Sequence, residues 1–211
     1  MKHPALAWLP AVGWLPVLAL LIAGCNMVPP AQLDATHFYV LTGPAPAPGP
    51  VIGHLRLGLK TVELASFLNT RDIVVRSGTN ELMLQDYARW AEPLGAGIGR
   101  ILRLQLTADP AIGRVYPQPF PFEAERDYDV AVNVIRCEGE TESGLTGRSS
   151  ARFAAVIEIT TPGPEARVVA RRTFVAPNAP WDGRDYARLA ALLSEDVAAL
   201  AHEIIAALPD K

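Results

Sequence analysis

The sequence predicts an α/β domain in which short strands form a sheet and two helices pack against it. Three observations carry this. Apolar and polar residues alternate in several runs, such as Leu55, Leu57 and Leu59, or Ala151, Phe153, Ala155, Ile157 and Ile159. A period of two is that of a strand with one covered face. Tyr186, Leu189, Leu193, Val197, Leu200, Ile204 and Leu208 recur at spacings of three and four, which is one continuous helical stripe. Leu94, Ile98, Ile101 and Leu102 form a second, shorter stripe.

The chain begins with a different kind of segment. Lys2 and His3 precede an uncharged apolar run from Ala5 to Ile22, which ends in Leu21-Ile22-Ala23-Gly24-Cys25. A basic start, an apolar stretch and small residues before a cleavage point describe an export signal over residues 1–24. The cysteine directly after Ala23-Gly24 makes it a lipoprotein signal, with Cys25 taking diacylglycerol as a thioether. A transmembrane anchor is the competing reading, since the run is just long enough to span a bilayer. However, Pro4, Pro10, Gly13 and Pro16 interrupt it, and each proline inside a helix costs ~3 kcal/mol. Each buried methylene of an acyl chain contributes ~0.8 kcal/mol, so the two or three chains of a lipoprotein anchor it where one would not. Asn26 occupies the position where Asp retains many enteric lipoproteins at the inner membrane. The expected location is therefore the outer membrane, lipid-anchored and facing the periplasm.

Residues 25–36, with Pro29 and Pro30 and no periodicity, read as a tether whose eleven residues after Cys25 reach ~36–40 Å at full extension. The domain is expected over residues 37–211. Phe38-Tyr39-Val40-Leu41 is strand-like, and Pro44, Pro46, Pro48 and Pro50 make residues 42–50 a semi-stiff loop. After the strand at Leu55–Leu59, two more are expected at residues 73–76 and 81–84, joined by a turn at Gly78. Trp90-Ala91-Glu92-Pro93-Leu94 opens the first helix, with Pro93 at the first helical position, where no backbone donor is needed. Trp90 reads as a packing staple at the helix entry; as an interface anchor it would exploit the enrichment of Trp at hot spots. Gly95, Gly97 and Gly99 cost ~1 kcal/mol each in that helix. They lack the spacing of a phosphate-binding loop and read as small residues permitting close packing.

A strand through Tyr128, Val130, Val132 and Val134 is expected to end near Cys137, with a turn over residues 138–147 and a hairpin partner at residues 151–159. Residues 167–175 give a third strand, wet on one face at Arg171 and Arg172. Asp182 and Asp185 cap the last helix, Pro209 stops it, and Arg188, Glu195 and Glu203 lie opposite its stripe.

Signals of chemistry are sparse. Lys and Arg number 19 against 22 Asp and Glu, with no basic patch suited to nucleic acid. With Cys25 acylated, Cys137 has no disulfide partner, and a lone thiol reads as buried and inert rather than redox-active. His37, His54 and His202 are not at metal-binding spacing, and no G-x-S-x-G elbow occurs. Glu123, Glu125, Asp127 and Asp129 alternate around Arg126, which reads as a solvated charged edge strand rather than a catalytic pair. No cofactor, no metal and no enzymatic activity are expected.

The order of these features carries a resemblance. The lipobox is followed by Phe38-Tyr39-Val40-Leu41, a strand over residues 55–62, Phe67-Leu68, a pair of strands and Trp90-Ala91-Glu92-Pro93-Leu94. A Val-rich strand running into a hairpin and an Ala-rich C-terminal helix complete it. The chain resembles the ABC-type transport auxiliary lipoproteins, the PqiC/YmbA family of membrane integrity-associated transporter subunits. The resemblance implies a three-layer α/β fold with a mixed sheet. It also implies a non-enzymatic role: docking the periplasmic MCE-domain subunit of an ABC-type lipid transporter at the outer membrane. Trp90, Pro93 and Leu94 are the residues taken to contact that partner, and self-association into a homo-oligomer is left open. The alternative is a periplasmic carrier that itself binds a lipid or other hydrophobic ligand. Replacing Cys25 by Ser is expected to abolish acylation: intact-mass measurement finds a diacylglyceryl group on the wild-type chain and none on the variant.

Overall fold

The computed structural model describes residues 35–44, 53–142 and 147–209. The leader, Cys25, nearly all of the tether and residues 45–50 of the proline segment lie outside the described residues. The chain divides into two units, Met1–Ala35 and Thr36–Lys211, and the fold below is that of the second.

In chain order the elements are β1 (His37–Tyr39), β2 (Leu55–Leu59), β3 (Glu63–Leu64), a 3₁₀ turn (Ser66–Leu68), β4 (Asp72–Ser77) and β5 (Glu81–Trp90). These are followed by α1 (Leu94–Ala108), β6 (Ile112–Pro117), β7 (Tyr128–Thr141), β8 (Ser149–Thr160), β9 (Val168–Val175), β10 (Ala179–Trp181) and α2 (Tyr186–Ala207). Strand β7 is the spine. One of its edges pairs along its length with antiparallel β8, from Asp129↔Thr160 to Thr141↔Ser149. The other edge takes three parallel partners in succession, seen at Leu57↔Tyr128, Glu63↔Asn133 and Val75↔Gly139. Beyond β2 the sheet continues to parallel β6, whereas beyond β4 it continues to antiparallel β5 and then parallel β1. It therefore forks where the chain leaves β7 between β2 and β4. On the far side, β9 and β10 pair antiparallel with β8.

Strand β7 runs further than its sequence pattern suggests. Residues 138–141, expected in a turn, continue the ladder. An irregularity between Val134 and Arg136 shifts the alternation, so that Cys137 pairs with Phe153 as Val134 pairs with Ala155. Gly139 passes beneath Trp181, whose Cζ3 would lie 2.6 Å from a Cβ at that position. Strands β6 and β10 lack a readable alternation because they are short and interrupted by Gly113, Pro117 and Pro180.

Both helices pack against each other, and α2 lies over β8. Their apolar stripes cover the sheet face formed by Leu57, Val130, Val132, Val134, Phe153, Ile157 and Ile159, all in one buried cluster. Each such side chain contributes ~1.5–3 kcal/mol through burial. The strap after β1 ties the pair together: Thr42 N donates to Ser194 Oγ on α2 at 2.9 Å, and Arg100 Nη2 on α1 donates to the Leu41 carbonyl at 2.8 Å. As expected, Asp185 caps α2 by accepting from Arg188 N at 2.9 Å. Asp182 accepts from the backbone N–H groups of Arg184 and Asp185, which hold its carboxyl below the usual range.

The α/β class with a mixed sheet packed by helices is thus what the structure shows. The second sheet face is built for water. Arg76 and Arg136 meet Glu138 at 2.7 and 2.9 Å, Arg152 meets Glu140, and Arg171 meets Glu158. Glu138 is fully covered by its arginines (0% exposed). The acidic run read as a solvated edge strand is solvated only in its first half, and it does not lead into an edge strand. β7 is central, and Asp129 is buried against Arg126 at 2.7 Å. Asp127 is pinned by Arg56 at 3.0 Å, which holds its carboxyl below the usual range. Asp127 and Asp129 turn inward because Arg56 and Arg126 neutralise them there, whereas Glu123 and Glu125 are exposed, as a solvated run would be.

Cys137 is buried (2% exposed), and that burial, with the Asp196 and Glu138 carboxylates nearby, pushes its thiol pKa up. Asp196 on α2 is 8% exposed and its Oδ2 has no hydrogen-bond partner. Burial, with Glu195 adding like charge, pushes its carboxyl up to about 6 from 3.8. The native state therefore binds a proton that the unfolded chain has already released between those values. The stability this contributes is full below pH 3.8 and is lost as pH rises through about 6. Asp196→Asn is expected to stabilise the domain by on the order of 1–3 kcal/mol at pH 8 and by nothing at pH 3.5, read by urea unfolding.

Candidate functional site

Where the sheet forks, the backbone from residue 60 to 71 departs from β7 in stages. Lys60 N and Ala65 N still donate to the Val130 and Val134 carbonyls, both at 2.9 Å. Gln118 closes the near end: its N donates to the Leu59 carbonyl at 3.0 Å and its Oε1 accepts from Thr61 N at 3.1 Å. The chain then swings out through the 3₁₀ turn and returns at Arg71, whose carbonyl accepts from Trp90 N at 2.6 Å.

The opposite wall is the start of α1. Pro93 is the N-cap, not the first helical residue. Its extended ψ of 127° leaves its carbonyl to accept from Ala96 N and Gly97 N. Trp90 does not open the helix; it ends β5, paired with Tyr39. Trp90 and Leu94 are 4% and 3% exposed, whereas Pro93 is exposed at the groove's lip. Of the three residues singled out in the sequence, Pro93 alone presents surface.

Between these walls lies a groove of about 930 Å³. Its floor is apolar, made by Leu59, Val62, Leu64 and Leu94, and its rim carries Lys60, Arg71, Arg100 and Arg103 without any Asp or Glu. Arg100 is neutralised by Glu92 at 2.5 Å. Lys60, Arg71 and Arg103 have no carboxylate partner among the described residues. The α1 glycines have different reasons. A Cβ at Gly95 would lie 3.1 Å from the Val62 carbonyl oxygen, and one at Gly97 3.1 Å from Glu92 Oε1. One at Gly99 would meet only Val62 Cγ2, at 3.6 Å. Gly95 thus supports the close-packing reading, and Gly99 leaves the groove open.

His37, His54 and His202 all lie outside the groove. Among the described residues, no three His, Cys, Asp or Glu side chains are placed to hold a metal, and no helix is long and apolar enough to cross a membrane. Sequence reading missed Lys60, Arg71 and Arg103 as a group, because only the fork brings an end of β2, the start of β4 and a face of α1 together.

Fold and groove define a mixed-sheet α/β domain backed on one face by a helix pair. Residues 39–205 match the family model of the ABC-type transport auxiliary lipoprotein component, and the chain belongs to that family. Two solved structures share the fold. A Xanthomonas campestris protein of the DUF330 family is 22% identical, with a TM-score of 0.66 over 81% of this chain and 93% of that one. An uncharacterised protein is 15% identical, with a TM-score of 0.60 over 80% and 95%. The PelC dodecamer from Paraburkholderia phytofirmans, 15% identical over 78% and 92%, has a TM-score of 0.41, too low to bear on assembly. No curated protein matches in sequence. Gly99→Ala is expected to stabilise the domain by about 0.5–1 kcal/mol through helix propensity, whereas Gly95→Ala, crowded by a carbonyl, gains less; urea midpoints measure both.

Proposed function

We propose that the chain is a non-enzymatic, outer-membrane-anchored auxiliary subunit of an ABC-type lipid transport system, docking the periplasmic MCE-domain subunit there. The observation that carries this reading is the family match over residues 39–205, in a chain whose Leu21-Ile22-Ala23-Gly24-Cys25 reads as a lipobox with Cys25 as the residue to be acylated. A domain so attached works at a membrane surface, where its role is to recruit or to receive. Trp90 and Leu94 serve that role indirectly, by fixing the Pro93 corner from within the core. In docking they are positioning residues, and the surface of that element open to a partner is Pro93.

The test is affinity purification of the full chain from detergent-solubilised envelopes. An MCE-domain protein is expected to co-elute, and deletion of the gene is expected to sensitise the envelope to detergent. Recovery of the chain without an MCE protein, together with an unchanged envelope, would overturn the proposal.

A further inference from the structure

We propose that the groove at the sheet fork binds an anionic amphiphile, its phosphate held by Lys60, Arg71 and Arg103 and its first methylenes laid on Leu59, Val62 and Leu94. This does not rest on the docking role. Three observations converge. The groove, at about 930 Å³, has the size of a small-molecule site. Its apolar floor remains open because position 99 is glycine, whose missing side chain would meet only Val62. Its charge is uncompensated: Arg76, Arg126, Arg136, Arg152 and Arg171 on the open sheet face each meet a carboxylate. Of the four groove cations, Arg100 meets Glu92, whereas Lys60, Arg71 and Arg103 meet no carboxylate among the described residues.

Like charges around one rim repel each other, and an anion between them removes that repulsion. A free phosphate would satisfy the cations and leave the floor wet. A neutral hydrocarbon would cover the floor and leave the cations unpaired. A molecule with a phosphate head and an alkyl chain answers both parts of the site. Arginine suits the head because its fork of N–H donors matches phosphate oxygens.

The experiment uses the full chain reconstituted in phosphatidylcholine vesicles and a medium-chain alkyl phosphate carrying a diazirine. After illumination, mass spectrometry is expected to find label on peptides spanning residues 59–71 and 93–103. Gly99→Leu, which fills the groove while strengthening the helix, is expected to reduce that label about tenfold. Lys60→Glu combined with Arg103→Glu is expected to reduce it about tenfold through loss of charge-assisted hydrogen bonds. Arg171→Glu on the open sheet face leaves it unchanged. Circular dichroism of each variant establishes that it is folded. Equal labelling by the matching alcohol probe would overturn the charge assignment. Displacement of the label by millimolar inorganic phosphate would make this a free-phosphate site and overturn the amphiphile. Absence of label from the groove, or full labelling of Gly99→Leu, would overturn the site altogether.

Discussion

Strand β7 presents a row of backbone N–H and C=O groups along each edge, and in the interior of a sheet both rows must find partners. The two edges solve this differently. Along one, β8 runs antiparallel for the full length, so a single hairpin satisfies it. Along the other, no single strand is long enough, and β2, β3 and β4 share the edge in turn. The fork follows from that division, since β2 and β4 each recruit their own outer neighbours. The groove is what remains between them. The polar walls of the site and the apolar core beneath it thus trace back to the same ladder.

The two faces of the sheet are held by different forces. On the helix side Val130, Val132, Val134, Phe153 and Ile157 are buried under α1 and α2. On the other side, arginines and carboxylates interlock across strands. Glu138 is the extreme case: a fully buried carboxylate is tolerable only because Arg76 and Arg136 both reach it. Removing a single partner of such a group typically costs ~3–5 kcal/mol, more than the intact pair contributes. Asp196 shows the contrast on the helix side. It is a buried carboxylate with an unpaired oxygen, and it answers by holding its proton more tightly.

Where apolar side chains decide the outcome, the sequence is readable. The α2 stripe, its Asp185 cap, the β7–β8 hairpin and β2 all follow from spacing, because burial of one face leaves a period that survives in the chain. Reading fails where another constraint takes over. β5 extends to Trp90 although its pattern breaks after Leu84, because Gln85 is turned to accept from the Tyr186 hydroxyl and the pairing with β4 shifts between Asp72 and Val74. Pro93 falls one residue before the helix rather than at its first turn, since its extended backbone completes the corner from β5. Within the acidic run before β7, the inward turn of Asp127 is illegible because its neutralising partner, Arg56, lies far away in the chain. The groove cations left no sequence trace at all: Lys60, Arg71 and Arg103 sit in three unrelated local patterns.

The strap at residues 41–44 has a mechanical consequence. Whatever pulls on the chain ahead of Thr36 loads the domain first through three parallel-paired residues of β1, a weak attachment by itself. Immediately behind them, the strap is bonded to Ser194 on α2 and to Arg100 and Gln105 on α1. Tension therefore passes from the sheet's margin into both helices at once. A pull that peels β1 away is met by the helix pair, and through Arg100 it reaches the α1 wall of the groove.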